Sequence, residues 1–201
     1  PASALYFPEL ANLFPGACLI AVIRDPRDIA NSMRVVRDKI ISAGKRPPRF
    51  TRSVTASVQE MNRFFAAISK SRKASHPVHL VHYEDVLCDP ERELRRICGL
   101  LNIDFSQHML EIETSGYTAP ENSDEFWYSQ DYLQTGIEKR GVVSERVLGE
   151  QDIRLVERYV RDFDFLHRYD LKPGAATARD RCMWAMGKMG KSGIFMPRKR
   201  G

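Results

Sequence analysis

The sequence predicts an α/β fold in which helices cover both faces of a parallel sheet. Two apolar runs, over 18–23 and 78–83, are typical of buried strands. Each run is followed by an Asp-Pro helix start and then by apolar residues at helical spacing. Strands that alternate with helices in this way favour a parallel sheet with right-handed crossovers. Because two strands are too few for such a sheet, we expect the others upstream of Pro1, which makes this chain the C-terminal part of a larger fold.

The first strand, Cys18–Ile23, leads into a helix predicted from Pro26 to about Ser42. Asp25 is the expected cap of this helix, because its side chain can accept a bond from a free backbone N–H of the first turn, and Pro26 suits the first helical position. After the helix breakers at 44–48, a second, amphipathic helix is predicted from Ser53 to about Ser71. Its buried face is formed by Val54, Val58, Met61, Phe65 and Ile68.

The second strand is predicted over Val78–Tyr83, and a third helix starts at Asp89-Pro90. That helix carries an apolar stripe of Leu94, Ile97, Cys98 and Leu101. Glu84 and Asp85, between the strand and the helix, are expected to cap or brace the following turn instead of acting as acids. A loop region follows over 113–149, and a fourth helix is predicted from Glu150.

Composition is that of an ordinary globular protein. The chain has 201 residues, of which 43% are hydrophobic and 28% charged. No apolar run is long enough to span a bilayer, and no basic-then-apolar leader opens the chain. The four cysteines lack the C-x-x-C spacing of a metal or redox site, so we expect reduced thiols and a cytoplasmic location. The net charge of +5 suits attraction of a small anion but does not by itself exclude a nucleic acid.

We predict two regions, a domain over 1–171 and a basic, flexible tail over 172–201. Glycines and a proline interrupt the tail, which breaks any long helix. Most of its lysines and arginines crowd the last fourteen residues beside Met189, Phe195 and Met196, so contact with a membrane or with RNA stays open as an alternative to a solvated tail.

Arg24 and Ser32 are the candidate anion ligands of the first strand-to-helix turn. Arg24 follows the carboxyl end of a strand, where open α/β sheets bind their ligands. Ser32 lies about 10 Å along the following helix, a gap that an arginine side chain can cover. The planar guanidinium binds phosphate through paired donors, and the serine hydroxyl adds another donor. The alternative is that Arg24 pairs with a neighbouring carboxylate and Ser32 is an ordinary helix residue.

The segment from Leu19 to Ser32 and the segment from Val78 to Pro90 together resemble bacterial-type sulfotransferases. These enzymes use 3′-phosphoadenosine-5′-phosphosulfate (PAPS), and the resemblance runs from about Phe14 to Tyr169. It implies a three-layer, P-loop NTPase-like fold with a central parallel sheet. It also implies PAPS as co-substrate without a metal, and a hydroxyl or amine acceptor on a small molecule, glycan or lipid.

The resemblance also assigns the donor-binding residues. Arg24 and Ser32 would bind the 3′-phosphate of PAPS, and Tyr83 would approach its adenosine. A later loop would close over the same phosphate, with Lys139, Arg140 and Gly141 as its candidate residues and Arg146 as a rival.

Two parts of the family pattern are not found in the sequence. The glycine-rich loop that holds the 5′-phosphosulfate precedes the first strand in this family, and 1–17 contain no such loop. The general base also usually precedes that strand, so the catalytic residues stay unassigned; His82 beside Tyr83 is more typical of a structural histidine. We therefore expect the chain alone to transfer no sulfate.

Two other functions fit the same turn. One is a non-catalytic nucleotide- or RNA-binding module that uses Arg24 and the basic tail. The other is a nucleotide kinase of related fold. The sulfotransferase interpretation predicts no nucleic-acid partner.

Overall fold

The computed structural model of the chain describes residues 2–73, 78–111 and 147–171. The predicted loop residues Lys139, Arg140 and Gly141, their rival Arg146 and the predicted tail 172–201 all lie outside the described residues.

Two parallel strands form the sheet of the described residues. Strand β1 is Leu19–Ile23 and strand β2 is Val78–His82. Leu19 lies opposite Val78, and Ile23 lies opposite His82. The parallel pairing predicted from the sequence is therefore confirmed, and the carboxyl ends of both strands meet at one edge of the sheet.

Helices connect and follow the strands. Their bounds are α1 Phe7–Leu13, α2 Pro26–Ser42, α3 Val54–Arg72, α4 Tyr83–Cys88, α5 Pro90–Leu101 and α6 Glu150–Tyr159. Within the described ranges, 3-10 turns also occur at Ala2–Tyr6, Arg49–Thr51, Gln107–Leu110 and Asp164–Tyr169. The four predicted helices correspond to α2, α3, α5 and α6.

The caps of these helices follow from local chemistry. The Asp25 carboxylate accepts a hydrogen bond from the Arg27 backbone N–H at 2.8 Å, which confirms the predicted cap of α2. Ser53 caps α3 in the same way through the Ala56 N–H, at 3.1 Å. The turn after β1 is therefore held by its own sequence.

The prediction for the second strand was wrong at its last residue, because Tyr83 begins α4 instead of ending β2. The partner strand ends at Ile23, opposite His82, so β1 offers Tyr83 no further position in the ladder. Glu84 and Asp85 then occupy a first helical turn, where acidic side chains are favoured by the helix dipole.

The core lies between the sheet and α3, and the C-terminal elements pack into it. Val58 of α3 is fully buried, as is Val156 of α6. The Phe65 ring makes edge-to-face contacts with Phe163 and Phe165, and its centroid lies 6.0 Å and 5.8 Å from theirs. This packing fixes the turn Asp164–Tyr169 beside the carboxyl ends of the strands.

Only part of the sheet is covered on both faces. The side chains of Leu19, Ala21 and Ile23 are buried, whereas Val22, on the other face of β1, is 64% exposed. On that face of β2, Val81 is 2% exposed. Within the described residues, the predicted second layer therefore covers β2 and leaves β1 open.

Candidate anion-binding site

Arg24 and Tyr83, from the two separate motifs, lie in contact. Arg24 follows β1, and Tyr83 follows β2, so the parallel register brings them to the same edge of the sheet. The Arg24 Cζ atom is 4.7 Å from the centroid of the Tyr83 ring, a cation–π contact. The half-buried Tyr83 ring therefore supports the guanidinium from one side.

The Arg24 guanidinium is incompletely satisfied within the described part of the chain. Its Nη2 is 3.8 Å from Asp28 Oδ2, which makes an ion pair but is too long for a hydrogen bond. Its Nε is buried and has no hydrogen-bond partner there. A buried donor without an acceptor is costly, and a bound oxyanion would satisfy it. The carboxylate pairing allowed as an alternative is thus present, but it leaves the Nε donor unused.

Ser32 lies on α2, as predicted, and is half-buried. Its neighbour Asn31 is 2% exposed, and the Asn31 Oδ1 accepts hydrogen bonds from the backbone N–H groups of Val147 and Leu148, at 2.9 and 3.2 Å. These bonds hold Val147 and Leu148, which precede α6, against α2 and directly beside Ser32. No local pattern in the sequence points to Asn31, because its partners lie more than a hundred residues away.

The Glu84 carboxylate joins the two motifs. Its Oε1 accepts a hydrogen bond from the Asp25 backbone N–H at 2.9 Å, and its Oε2 accepts one from the Tyr169 hydroxyl at 2.8 Å. The expectation that Glu84 braces the turn after it was therefore wrong. It binds the β1–α2 corner and the C-terminal turn instead, through contacts that no local pattern reveals.

His82 takes a structural position in the same network. Its Nδ1 is 3.0 Å from the Tyr169 hydroxyl oxygen. Because Tyr169 has one hydroxyl proton and gives it to Glu84, the Nδ1 of His82 must carry a proton and donate. Burial, and then the positive charge of Arg168, lower the pKa of His82. The imidazole is thus kept neutral, with its proton on Nδ1.

Arg27 fastens the same corner to the C-terminal elements. It donates to Asp25 Oδ2 at 2.7 Å, to Glu157 Oε1 of α6 at 3.1 Å and to the Tyr169 carbonyl at 2.8 Å. The hydrogen bond and charge of Asp25 raise the pKa of Arg27 despite its burial. Both Nη atoms of Arg27 thus donate hydrogen bonds to the protein, whereas the Nε of Arg24 has no acceptor among the described residues. Arg27 therefore has a structural role.

A second link between these segments lies nearer the solvent. Arg168 makes a paired contact with Asp85, at 2.6 and 2.7 Å. Hydrogen bonding to Arg168 lowers the pKa of Asp85. Asp85 therefore also contacts a distant element and does not brace its own turn.

The family model and the relatives that match this chain all belong to the sulfotransferases. Residues 1–107 match the model that describes the sulfotransferase family. The chain is 30% identical over 131 residues to a putative protein-tyrosine sulfotransferase of Caenorhabditis briggsae, covering 65% of this chain and 45% of that protein. It is also 30% identical over 110 residues to a putative protein-tyrosine sulfotransferase of Caenorhabditis elegans, covering 55% of this chain and 40% of the relative.

The chain spans less than half the length of these two relatives. No solved structure matches it. Among the helices of the described ranges, none has the length and apolar character needed to cross a membrane.

Proposed function

Because this chain belongs to the sulfotransferase family, we propose that the corner at Arg24 binds the 3′-phosphate of PAPS in an enzyme that transfers its sulfuryl group. The observation that carries the proposal is the buried Nε of Arg24, which has no acceptor in the described part of the chain. A phosphate oxygen would supply that acceptor, and the contact with Tyr83 keeps the guanidinium in place for it.

The proposed ligand set has two parts. Arg24, Ser32 and Tyr83 lie among the described residues, and Arg24 already contacts Tyr83. Since the guanidinium covers one face of the Tyr83 ring, adenosine would use the ring edge, the hydroxyl or the opposite face. A closing loop at 139–141 is supported by the family resemblance alone.

These residues hold the donor and do not move its sulfate. PAPS, when bound, supplies the activated sulfuryl group, and an attacking acceptor must lose a proton to a base. Within this chain, Arg24 and Ser32 would fix the far end of the donor through its 3′-phosphate. Specificity for a 3′-phosphorylated nucleotide would then come from this chain.

We propose a hydroxyl group as the acceptor. The names of the two relatives favour a tyrosine hydroxyl of a protein. Hydroxyl groups of small molecules, glycans and lipids, and amines, stay open as alternatives.

The proposal also includes a three-layer, P-loop-like fold around the sheet. The exposed face of β1 at Val22 supports this fold. We further propose a cytoplasmic location, which the free thiols of Cys18, Cys88 and Cys98 support.

Calorimetric titration tests this function. The protein is titrated with 3′-phosphoadenosine-5′-phosphate, the donor without its sulfuryl group, and separately with 5′-AMP and a short RNA. The 3′-phosphate should tighten binding by about tenfold or more, because hydrogen bonds between charged groups contribute about 1.5–3 kcal/mol. Equal affinity for the two nucleotides would contradict the proposal, and tighter binding of RNA would favour the RNA-binding alternative.

A further inference from the structure

We propose that Glu84, held in place by Tyr169, positions Arg24 for the 3′-phosphate. This inference rests on the proposed function of Arg24 and adds two positioning residues to it. Neither residue would touch the donor. Both would act by fixing the backbone and the aromatic ring between which the Arg24 side chain extends.

Glu84 controls both supports of Arg24. Its side chain accepts the Asp25 N–H at 2.9 Å, which fixes the peptide that directly follows Arg24. Its backbone directly follows Tyr83, whose ring lies against the Arg24 guanidinium. One residue therefore sets the start of the Arg24 side chain and the surface on which its charged end rests.

The carboxylate keeps this orientation because its second oxygen is also bound. Tyr169 donates its hydroxyl proton to Glu84 Oε2 at 2.8 Å. Tyr169 is only 9% exposed, and its carbonyl accepts a bond from Arg27 at 2.8 Å. Since the hydroxyl also meets His82 Nδ1, Tyr169 is held at its backbone and at its hydroxyl. Loss of the hydroxyl would leave Oε2 without a donor and allow the carboxylate to rotate away from the Asp25 N–H.

A neighbouring ion pair provides a matched control. Asp85 and Arg168 are the residues next to Glu84 and Tyr169, and they join the same two segments. The hydrogen bonds of this pair do not involve Arg24 or Asp25, and the side chains of Asp85 and Arg168 are partly exposed, at 31% and 40%. Arg168 also lies over the Tyr169 ring, with its Cζ atom 5.8 Å from the ring centroid, so the control replaces Asp85 and keeps Arg168. Asp85→Asn weakens the attachment of the two segments while Glu84 and Tyr169 keep their own hydrogen bonds.

The experiment compares Tyr169→Phe, Glu84→Gln and the control Asp85→Asn in the whole chain. The measured quantity is the ratio of affinities for 3′-phosphoadenosine-5′-phosphate and 5′-AMP, with the midpoint of thermal unfolding recorded for each variant. A loss of stability alone changes both affinities together and leaves the ratio unchanged. Misplacement of Arg24 lowers the ratio, because only one of the two ligands carries a 3′-phosphate.

We expect the ratio to fall by about three- to tenfold in Tyr169→Phe, the loss typical of one hydrogen bond, and to stay at the wild-type value in Asp85→Asn. Glu84→Gln keeps the shape of the side chain and should lower the ratio in the same direction, which provides the test if Tyr169→Phe does not fold. An unchanged ratio in the folded variants, beside a collapsed ratio in Arg24→Ala, would overturn the positioning role alone. A wild-type chain with no preference for the 3′-phosphate would overturn the proposed function and this inference with it.

Discussion

Replacement of Arg24 by alanine should remove most of the discrimination in favour of a 3′-phosphate. Among the described residues Arg24 has the Tyr83 ring and a long ion pair with Asp28, at 3.8 Å, as partners, and its buried Nε finds no acceptor in those ranges. In the complex the same guanidinium would make hydrogen bonds between charged groups. We therefore expect Arg24→Ala to weaken binding of 3′-phosphoadenosine-5′-phosphate by about 1.5–3 kcal/mol, or about 10- to 150-fold.

The assay is calorimetric titration of wild type and variant with the bisphosphate and with 5′-AMP. Binding of 5′-AMP should change little, since it lacks the 3′-phosphate. Arg92→Ala is the control for net charge, because Arg92 lies on α5 and its side chain is 62% exposed. Equal losses for both nucleotides in Arg24→Ala would refute the assignment. An equal loss of bisphosphate binding in Arg92→Ala would assign the effect to long-range charge.

Three further predictions concern the frame of the site. Leu155→Ala should lower the free energy of unfolding by about 2–5 kcal/mol in urea denaturation, because the side chain is 1% exposed, whereas Leu101→Ala, at a position 42% exposed, should cost much less; equal costs would contradict the packing of α6 into the core. Asp25→Ala should lower it by at least about 0.5–2 kcal/mol through loss of the α2 cap, and further through loss of the ion pair with Arg27 at 2.7 Å; an unchanged stability would contradict both contributions. The folded-state pKa of His82 is lowered by burial and by Arg168, so the unfolded chain binds a proton first and stability should fall as the pH drops below about 6.5. Urea denaturation at several pH values should show a weaker decline in His82→Phe than in wild type, and an identical decline would exclude His82 as a source of it.

Local signals predicted the helices of the site well. Asp25 and Pro26 determine where α2 begins by their own chemistry, a cap and a fixed φ, and these do not depend on distant residues. The periodic apolar face of α3 likewise predicted its buried side. Strand positions followed from the apolar runs, and their parallel pairing followed from the alternation with helices.

Long-range contacts explain what the sequence did not reveal. Tyr83 begins a helix because β1 ends opposite His82, and the length of a partner strand is not visible in the residues around Tyr83. Glu84 binds Asp25 and Tyr169, at sequence separations of 59 and 85, so its role depends on how the chain closes on itself. Short motifs could identify candidate anion ligands, but not the residues that hold those candidates in place.

A structure of the protein bound to 3′-phosphoadenosine-5′-phosphate would show whether Arg24 binds the 3′-phosphate. We expect a 3′-phosphate oxygen within hydrogen-bond distance, about 2.7–3.2 Å, of the Arg24 guanidinium nitrogens, Nε included, with another near the Ser32 hydroxyl. The Glu84 carboxylate should still bridge the Asp25 N–H and the Tyr169 hydroxyl. A nucleotide bound with its 3′-phosphate away from Arg24, and the Arg24 Nε still without an acceptor, would contradict the account.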